Sequence, residues 1–300
     1  MNVGRLWASS KIMIFGHILN PLWWPSSKRR SRRVNVMCPI VTKYFKRYLP
    51  KPDEIPEQKI IKNDEEKIFS IWLQGEENAP DLVKACYRSI RRHCKQELIV
   101  LDENSVFDYI TLPDVIVKKY KEGKIHRAHF ADICRVELLY EHGGYWIDST
   151  DFMMTALPDW ITEQDFFVFL TGTKYGSPYS FVQNCFIRSR KGSYLLAAWR
   201  KMILNYWTKE NREFDYFMHQ LLFKTLITYD KKAKQYFEKM PHVSQDPTHI
   251  LWAEYRDKKF NQQEFDKMAK DACFQKLTYR GGEYVKGSFA DVMVNKMYKD

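Results

Sequence analysis

No Cys-x-x-Cys pair and no His-x-x-x-His tract occurs in these 300 residues; the six cysteines stand apart. That spacing argues against a disulfide framework and against structural zinc, and it fits a reducing compartment. No internal repeat is visible, which removes solenoid and propeller arrays. No run of about 20 apolar residues is available to span a bilayer. The best candidate, from Leu6 to Trp24, is interrupted by Lys11, His17, Asn20 and Pro21. It also lacks a small-residue cleavage site after a clean apolar core, so a secretory signal is not expected. Finally, no acidic residue precedes Asp53.

The residues that are present narrow the class further. The length suits one large domain or two ordinary ones, with ample core. Hydrophobic residues at 45% and charged residues at 28% describe a globular chain. Aromatics at 15%, nine of them Trp, suit a thick core first and the stacking of flat ligands second. The net charge is +11, and eleven Lys or Arg fall before residue 52. From there onward 37 basic residues meet 37 acidic ones, so the body is neutral. A uniformly basic nucleic-acid enzyme is thereby excluded, and no nucleic-acid partner is expected. Trp23, Trp24 and Pro25 stand beside Lys28, Arg29, Arg30, Arg32 and Arg33. Aromatic anchors next to a basic cluster suit an anionic membrane surface, at about 1 kcal/mol per basic residue. A solvated tail is the plain alternative. Residues 1–65 are therefore expected to form a basic aromatic segment and linker, with residues 1–50 as the membrane-facing part, and residues 66–300 the catalytic domain.

The body alternates strand and helix patterns. Lys67 to Leu73 is a β-prone apolar run, and Pro80 opens a helix that closes at Arg91-Arg92-His93. Glu97 to Leu101 is the next strand. Helical patterns follow from Asp114 and from about Arg127, the second stopping at Gly143-Gly144. Tyr145 to Ile147 is a strand running into Asp148, and Phe166 to Leu170 and Cys185 to Ile187 are further strands. Ser193 to Trp207, Phe214 to Thr228 and Lys232 to Met240 make the second half largely helical. This alternation predicts an α/β domain with a mostly parallel sheet. Ligands on such sheets bind beyond the carboxyl ends of strands, which points to Trp72–Gln74 and Asp148–Asp151.

Two groups of residues suggest chemistry. On the helix from Ala128 to Tyr140, Asp132 and Arg135 lie three apart and project from one side; an intrahelical ion pair is the plain reading. Asp148-Ser149-Thr150-Asp151 follows an apolar strand, where a hard cation could sit. Magnesium and manganese favour carboxylates plus substrate phosphates, and no His or Cys ligand is at hand. A capping turn is the alternative. A glycoside hydrolase would instead hold its carboxylates on separate elements about 5 to 9 Å apart. His129, His219 and His249 read as packing or hydrogen-bonding residues rather than bases. Trp199, Tyr206 and Trp207 read as core first and acceptor platform second.

The run Ala128-x3-Asp132-x2-Arg135-x3-Leu139-Tyr140-x2-Gly143-Gly144-Tyr145-Trp146-Ile147-Asp148 resembles the signature of the capsular polysaccharide synthesis glycosyltransferases. These are relatives of the DXD-containing transferases that include mannosyltransferases and the glucosylating clostridial toxins. Trp72 to Pro80, Gln183 to Ile187, Lys191-Gly192 and Lys276 to Tyr279 resemble further segments of that family in the same order. The resemblance implies a GT-A, Rossmann-like nucleotide-sugar-binding fold with a helical C-terminal half. It also implies a manganese or magnesium ion and transfer of a hexose or related sugar, with retention. The acceptor would be a growing capsule or lipopolysaccharide chain or a lipid-linked oligosaccharide. By the same resemblance, Ile71, Trp72, Gln74, Asp132, Arg135, Tyr145, Trp146 and Asn184 bind the donor, with Trp72 on the base. Asp132, Arg135 and Asp148 act at the reacting sugar, and Asp148, Thr150 and Asp151 supply the metal site. Here Thr150 stands where the stricter pattern has its second acid. On a regular strand Asp148 and Thr150 share a face and Asp151 points away, so Asp151 joins only if the strand has turned. The expected location is the cytoplasm, peripheral on the inner face of the bacterial cell membrane. A non-catalytic protein that binds membrane or polysaccharide and keeps the fold is the rival reading.

Overall fold

The computed structural model describes residues 39–63, 65–176, 180–280 and 282–299. The basic run from Lys28 to Arg33, and with it the expected membrane contact, lies outside those residues.

Five strands form the central sheet: β1 (Ile68–Ile71), β2 (Leu98–Leu101), β3 (Gly144–Ile147), β5 (Phe166–Leu170) and β6 (Val182–Ser189), in the order β2-β1-β3-β6-β5. β1 runs parallel to both β2 and β3, whereas β6 runs antiparallel to β3 and to β5. Four of the five strands therefore point one way, and the mostly parallel α/β sheet read from the sequence is the one the chain forms. β1 and β3 are buried along their whole length, which is why their sequences are continuous apolar runs rather than alternating ones. The chain leaves β1 for β2 on one side and returns to β3 on the other. The gap between β1 and β3 is thus the point where strand order reverses, the place a ligand crevice opens in such sheets.

Helix α1 (Asp81–His93) follows β1, with Asp81 in its first turn and Arg91, Arg92 and His93 in its last, charges that suit the helix dipole at each end. Helix α2 is Asp114–Lys121 and α3 is Arg127–His142. Most of α3 is buried, including Asp132, Arg135 and Glu137. Glu137 is held by two hydrogen bonds, 2.6 and 2.5 Å, from Arg200 of the next long helix, α4 (Tyr194–Lys209). Removing one partner of a buried pair like this costs about 3–5 kcal/mol, so it pins α3 in place. Helices α5 (Met218–Tyr229) and α6 (Lys231–Lys239) complete that layer, α6 being capped by the Asp230 carboxylate, which accepts from Lys232 N and Ala233 N. Trp199, Tyr206 and Trp207 are all buried there, as core residues. Helix α5 begins four residues later than its apolar pattern suggests. Phe214 is apolar because it stacks on Tyr44 and meets Phe45 edge-on, not because it is helical.

A second sheet has two strands, β4 (Asp151–Met153) and β7 (Phe274–Lys276), antiparallel, with Asp151 directly opposite Lys276. It is backed by a separate apolar cluster in which Cys86 of α1 and Phe152 meet Phe265 of α7 (Gln262–Asp271) and Phe289 of α8 (Phe289–Asn295). The domain edge expected at residue 65 is not where packing begins. Val41, Phe45, Tyr48 and Ile55 all belong to the main core, and the Tyr48 hydroxyl donates to Glu210 at 2.5 Å. Apolar residues spaced along 41–48 form a helical turn whose one face is covered by α4 and Phe214. A Pro- and charge-rich stretch after them disguised that contact in the sequence.

Candidate active site

A cavity of about 190 Å3 opens beyond the carboxyl ends of β1 and β3, lined by Ile71, Asp132, Arg135, Trp146, Asp148 and Asn184 among others. These six come from four separate elements and were all candidates from the sequence. Their delivery is local. α3 brings Asp132 and Arg135 to one side, and Gly143 (φ 70°) and Gly144 (φ 98°) then reverse the chain into β3. A Cβ on Gly144 would lie 2.3 Å from the Lys67 carbonyl oxygen, so both the conformation and the close approach require glycine. β3 ends by placing Trp146 and Asp148 at the cavity.

The polar groups are bound to one another. Asn184 Nδ2 donates to Asp132 Oδ1 at 2.9 Å, and Gln220 Nε2 donates to Asn184 Oδ1 at 3.0 Å. Arg135 donates to the Asn184 carbonyl at 2.5 Å, lies 3.2 Å from Asp132 and 3.4 Å from Asp148, and its guanidinium sits 4.7 Å over the Trp146 ring. Trp146 Nε1 donates to Asp148 Oδ1 at 2.7 Å. Burial pushes the Asp132 carboxyl up, but Arg135, His219 and His129 together outweigh it and hold the group at about 2. Arg135 is correspondingly raised, Asp148 and Asp132 overcoming its own burial. Gln220 Oε1 and Arg135 Nε are buried and lack a hydrogen-bond partner. A ligand rich in hydroxyls would meet that need.

At the DXD-like element the strand does turn. Ser149 and Thr150 form a tight turn in which Asp151 N donates to Asp148 O at 2.9 Å, and Asp151 opens β4. Lys276, its neighbour across the second sheet, places its ammonium 2.7 Å from Asp148 Oδ2 and 3.1 Å from Asp151 Oδ1. Asp151 is wholly buried, and burial together with the Asp148 charge raises its carboxyl to about 7 against the pull of Lys276. Asp148 is lowered despite its burial, chiefly by Lys276 and then Arg135.

The donor set does not fit a resident divalent ion. Both Asp148 oxygens are already engaged, by Trp146 and Arg135 on one side and by Lys276 on the other. Asp151 and Thr150 do not line the cavity, and the direction in which Thr150 leaves the strand is changed by the turn. Both buried Asp151 oxygens lack a hydrogen-bond partner, but the Lys276 ammonium 3.1 Å away already supplies the cation there. The metal site expected at Asp148, Thr150 and Asp151 is thus, in this structure, an ion-pair cluster around an ammonium group.

Other expected site residues fall outside the cavity. Tyr145 alternates with Trp146 along β3 and points to the opposite face, where Arg188 lies 4.6 Å over its ring. Gln74 is exposed, its carbonyl accepting from Asn78. Trp72 is half-buried and meets Tyr279 edge-on at 5.4 Å, with its indole N–H lacking a partner. Conversely, His129, Tyr216 and Gln220 line the cavity and Lys276 braces it, although sequence patterning assigned none of them a site role. His129 is buried, its Nδ1 3.4 Å from Asp132. His219 stacks on Trp199 at 4.3 Å, shares a hydrogen bond with Asn184, and is pushed down to about 3 by burial. His219 is a packing and hydrogen-bonding histidine, as is His249, pushed down to about 4 by burial, whereas His129 Nδ1 has no hydrogen-bond partner.

Among known proteins, the glycosyltransferase afumC of Aspergillus fumigatus is 27% identical over 164 aligned residues, covering 49% of this chain and 42% of that protein. The chain thus spans about two-fifths of that relative. The solved structure of the PaToxG glycosyltransferase superposes with a TM-score of 0.39 at 11% identity, covering 71% of this chain and 84% of the other. The model of the family described as capsular polysaccharide synthesis protein matches residues 23–297. With the match spanning nearly the whole sequence, this chain belongs to the capsular polysaccharide synthesis protein family.

Proposed function

We propose that this chain is a glycosyltransferase that moves a hexose or related sugar from a nucleotide-sugar donor to a surface polysaccharide or its lipid-linked precursor. One observation carries the reading. Asp132, Arg135, Trp146, Asp148 and Asn184 converge on a single cavity at the strand-order reversal between β1 and β3. At about 190 Å3 the cavity is smaller than the roughly 300 Å3 at which pockets for drug-sized ligands begin. It matches the sugar end of a donor rather than the whole molecule. Asp132, Asn184 and Gln220 offer acceptors and donors to sugar hydroxyls, and Arg135 faces the developing negative charge. The unpartnered Trp72 indole and the exposed Tyr279 would receive the nucleoside, while Tyr216, 70% exposed at the cavity rim, would face the acceptor.

In the reaction, the bond from the anomeric carbon to the diphosphate oxygen breaks and its electron pair leaves with the nucleoside diphosphate. The acceptor hydroxyl oxygen bonds to that carbon, and its proton passes to a phosphate oxygen. Attack from the leaving-group face gives retention without a covalent intermediate. Catalysis then rests on the cations that meet the diphosphate charge, since electrostatic stabilisation usually contributes most in reactions of this kind. The test is a screen of nucleotide sugars for nucleoside diphosphate release. Release from one donor class, accelerated by an acceptor glycan, is the expected result. Tight donor binding with no release would favour the rival, a binding protein that keeps the fold.

A further inference from the structure

The geometry points to Lys276 as the built-in counter-cation of the site, an ammonium group that meets the leaving diphosphate where a divalent ion would otherwise stand. The inference rests on the nucleotide-sugar reading above, and it begins with register. β4 and β7 are only three residues each, and their pairing sets Asp151 directly opposite Lys276. The Lys276 side chain crosses from there to Asp148 at the cavity wall, touching Asp151 at 3.1 Å and Asp148 at 2.7 Å. Its side chain is still 22% exposed, and because it is not itself part of the cavity lining, the phosphates it would meet are those of a donor extending beyond the sugar-sized cavity. An ammonium group has three N–H donors. One is given to Asp148, Asp151 is met as an ion pair at 3.1 Å without a hydrogen bond, and a remaining donor can turn to a phosphate oxygen.

Charge balance agrees. Asp148 and Asp151 are the two acids on the turn after β3, and a divalent ion between them would leave an overall neutral pair. Lys276 gives a pair with one residual negative charge, which the raised carboxyl of Asp151 lightens, and Arg135 is shared between Asp148 at 3.4 Å and Asp132 at 3.2 Å. The carboxylates thus position two fixed cations rather than one exchangeable ion. When the anomeric C–O bond breaks, the electron pair settles on the diphosphate oxygen, and Lys276 and Arg135 stay protonated throughout, stabilising it by hydrogen bonding and charge alone. The one proton that moves is the acceptor hydroxyl's, which passes to a phosphate oxygen.

Two measurements test this, and they fail separately. In the first, manganese is titrated into the full-length protein and followed by electron paramagnetic resonance, with no donor present. Wild type is expected to leave the ion free, while Lys276→Met, having lost its ammonium, is expected to bind it between Asp148 and Asp151. Manganese binding by wild type that disappears in Asp148→Asn would overturn the inference. In the second, nucleoside diphosphate release is followed after exhaustive chelation with EDTA, using whichever donor the screen identifies. Wild type is expected to keep its rate, and Lys276→Met to lose about 100-fold or more, with partial recovery in Lys276→Arg. Loss of wild-type activity in EDTA, restored by manganese, would overturn the inference. Should Lys276→Met fail to fold, the two wild-type arms decide by themselves. Should no donor be turned over under any condition, the transferase reading fails while the manganese titration still judges Lys276.

Discussion

Asp148 accepts from the Trp146 indole on one oxygen and from Lys276 on the other, with the Arg135 guanidinium 3.4 Å away as an ion pair. An amide in its place keeps the shape but not the charge that holds both cations at the cavity. Asp148→Asn is therefore expected to slow nucleoside diphosphate release by about 100-fold or more, with an unchanged circular dichroism spectrum. A folded variant with near wild-type turnover would remove Asp148 from the site. Asp151 stands behind it and acts through Lys276 alone. Asp151→Asn should cost less, about ten- to a hundredfold, the usual effect of losing a group that orients another; a greater loss than at Asp148 would reverse their roles. His219 makes a different kind of prediction. Its ring is buried and neutral, held at about 3 in the folded protein against an ordinary 6.5. The unfolded chain takes up that proton first, so the stability owed to the neutral ring is whole above pH 6.5 and drains away as the pH falls toward 3. Asp132, lowered from 3.8 to about 2, adds a further loss only below its ordinary value. His249, pushed down to about 4, adds to the loss. Asp151, raised to about 7, takes up its proton first in the folded state and offsets part of it. With two histidines against one acid, the thermal midpoint of wild type should fall as the pH drops from about 6.5 to about 4. In His219→Asn the slope should be shallower, and an identical slope would show that another group governs the acid limb.

The stretch from α3 through β3 to β4 delivers most of the site as one continuous piece of chain. It works because Gly143 and Gly144 allow a helix to reverse into a buried strand with almost no loop. Position 144 carries two demands, a positive φ and contact with the Lys67 carbonyl. Gly144→Ala is expected to destabilise the fold by about 2 kcal/mol or more, from left-handed strain plus overpacking. Gly123 has a similarly positive φ, but a methyl group there would meet nothing within 4 Å. Gly123→Ala should then show only the backbone part, about 1–2 kcal/mol. Chemical denaturation of the two variants side by side measures the difference, and equal losses would mean that β3 shifts away from Lys67 at little cost. The short β4–β7 pair is the other delivering element. It joins the turn after β3 to the C-terminal helices, and so ties Asp151 to Lys276, far along the chain.

At the scale of the whole molecule, two apolar clusters share α1, whose Val83, Tyr87 and Ile90 enter the main core while Leu82, Ala85 and Cys86 enter the smaller one. The cavity is lined from the central-sheet side, and the β4–β7 pair reaches it through the contact of Lys276 with Asp148. The N-terminal region divides in the same physical way. From Val41 to Ile55 it contributes core side chains, and before that lies the basic, aromatic run with seven of the eleven surplus positive charges. Among the described residues no helix is long and apolar enough to cross a membrane. Removing residues 1–38 should leave a cooperative thermal transition and unchanged donor turnover, but should release the protein from anionic liposomes in flotation at low salt, as screened electrostatics requires. Removing residues 1–50 should in addition lower the thermal midpoint, because Phe45 and Tyr48 go with it. If the full chain also stays in the aqueous fraction at low salt, the basic head has a partner other than lipid.

The sequence by itself determined the α/β class, the order of the main strands and helices, and the local pairs of the site. Those are short-range facts: apolar runs long enough for buried strands, helix-spaced Asp132 and Arg135, and Gly-Gly ahead of a strand that ends in Asp148. What only the tertiary structure decided was which groups meet across distance. Strand alternation turned Tyr145 away while leaving Trp146 in the cavity, and the turn at Ser149-Thr150 carried Asp151 behind Asp148. Lys276, 128 positions beyond Asp148, became the partner of both acids through the register of two three-residue strands. The segment from Lys276 to Tyr279 resembles one of the family's, but nothing in its sequence pairs that lysine with Asp148 and Asp151. Its meaning comes from long-range pairing, where a one-residue slip would send the ammonium to the opposite face of the sheet and leave two buried carboxylates without their cation.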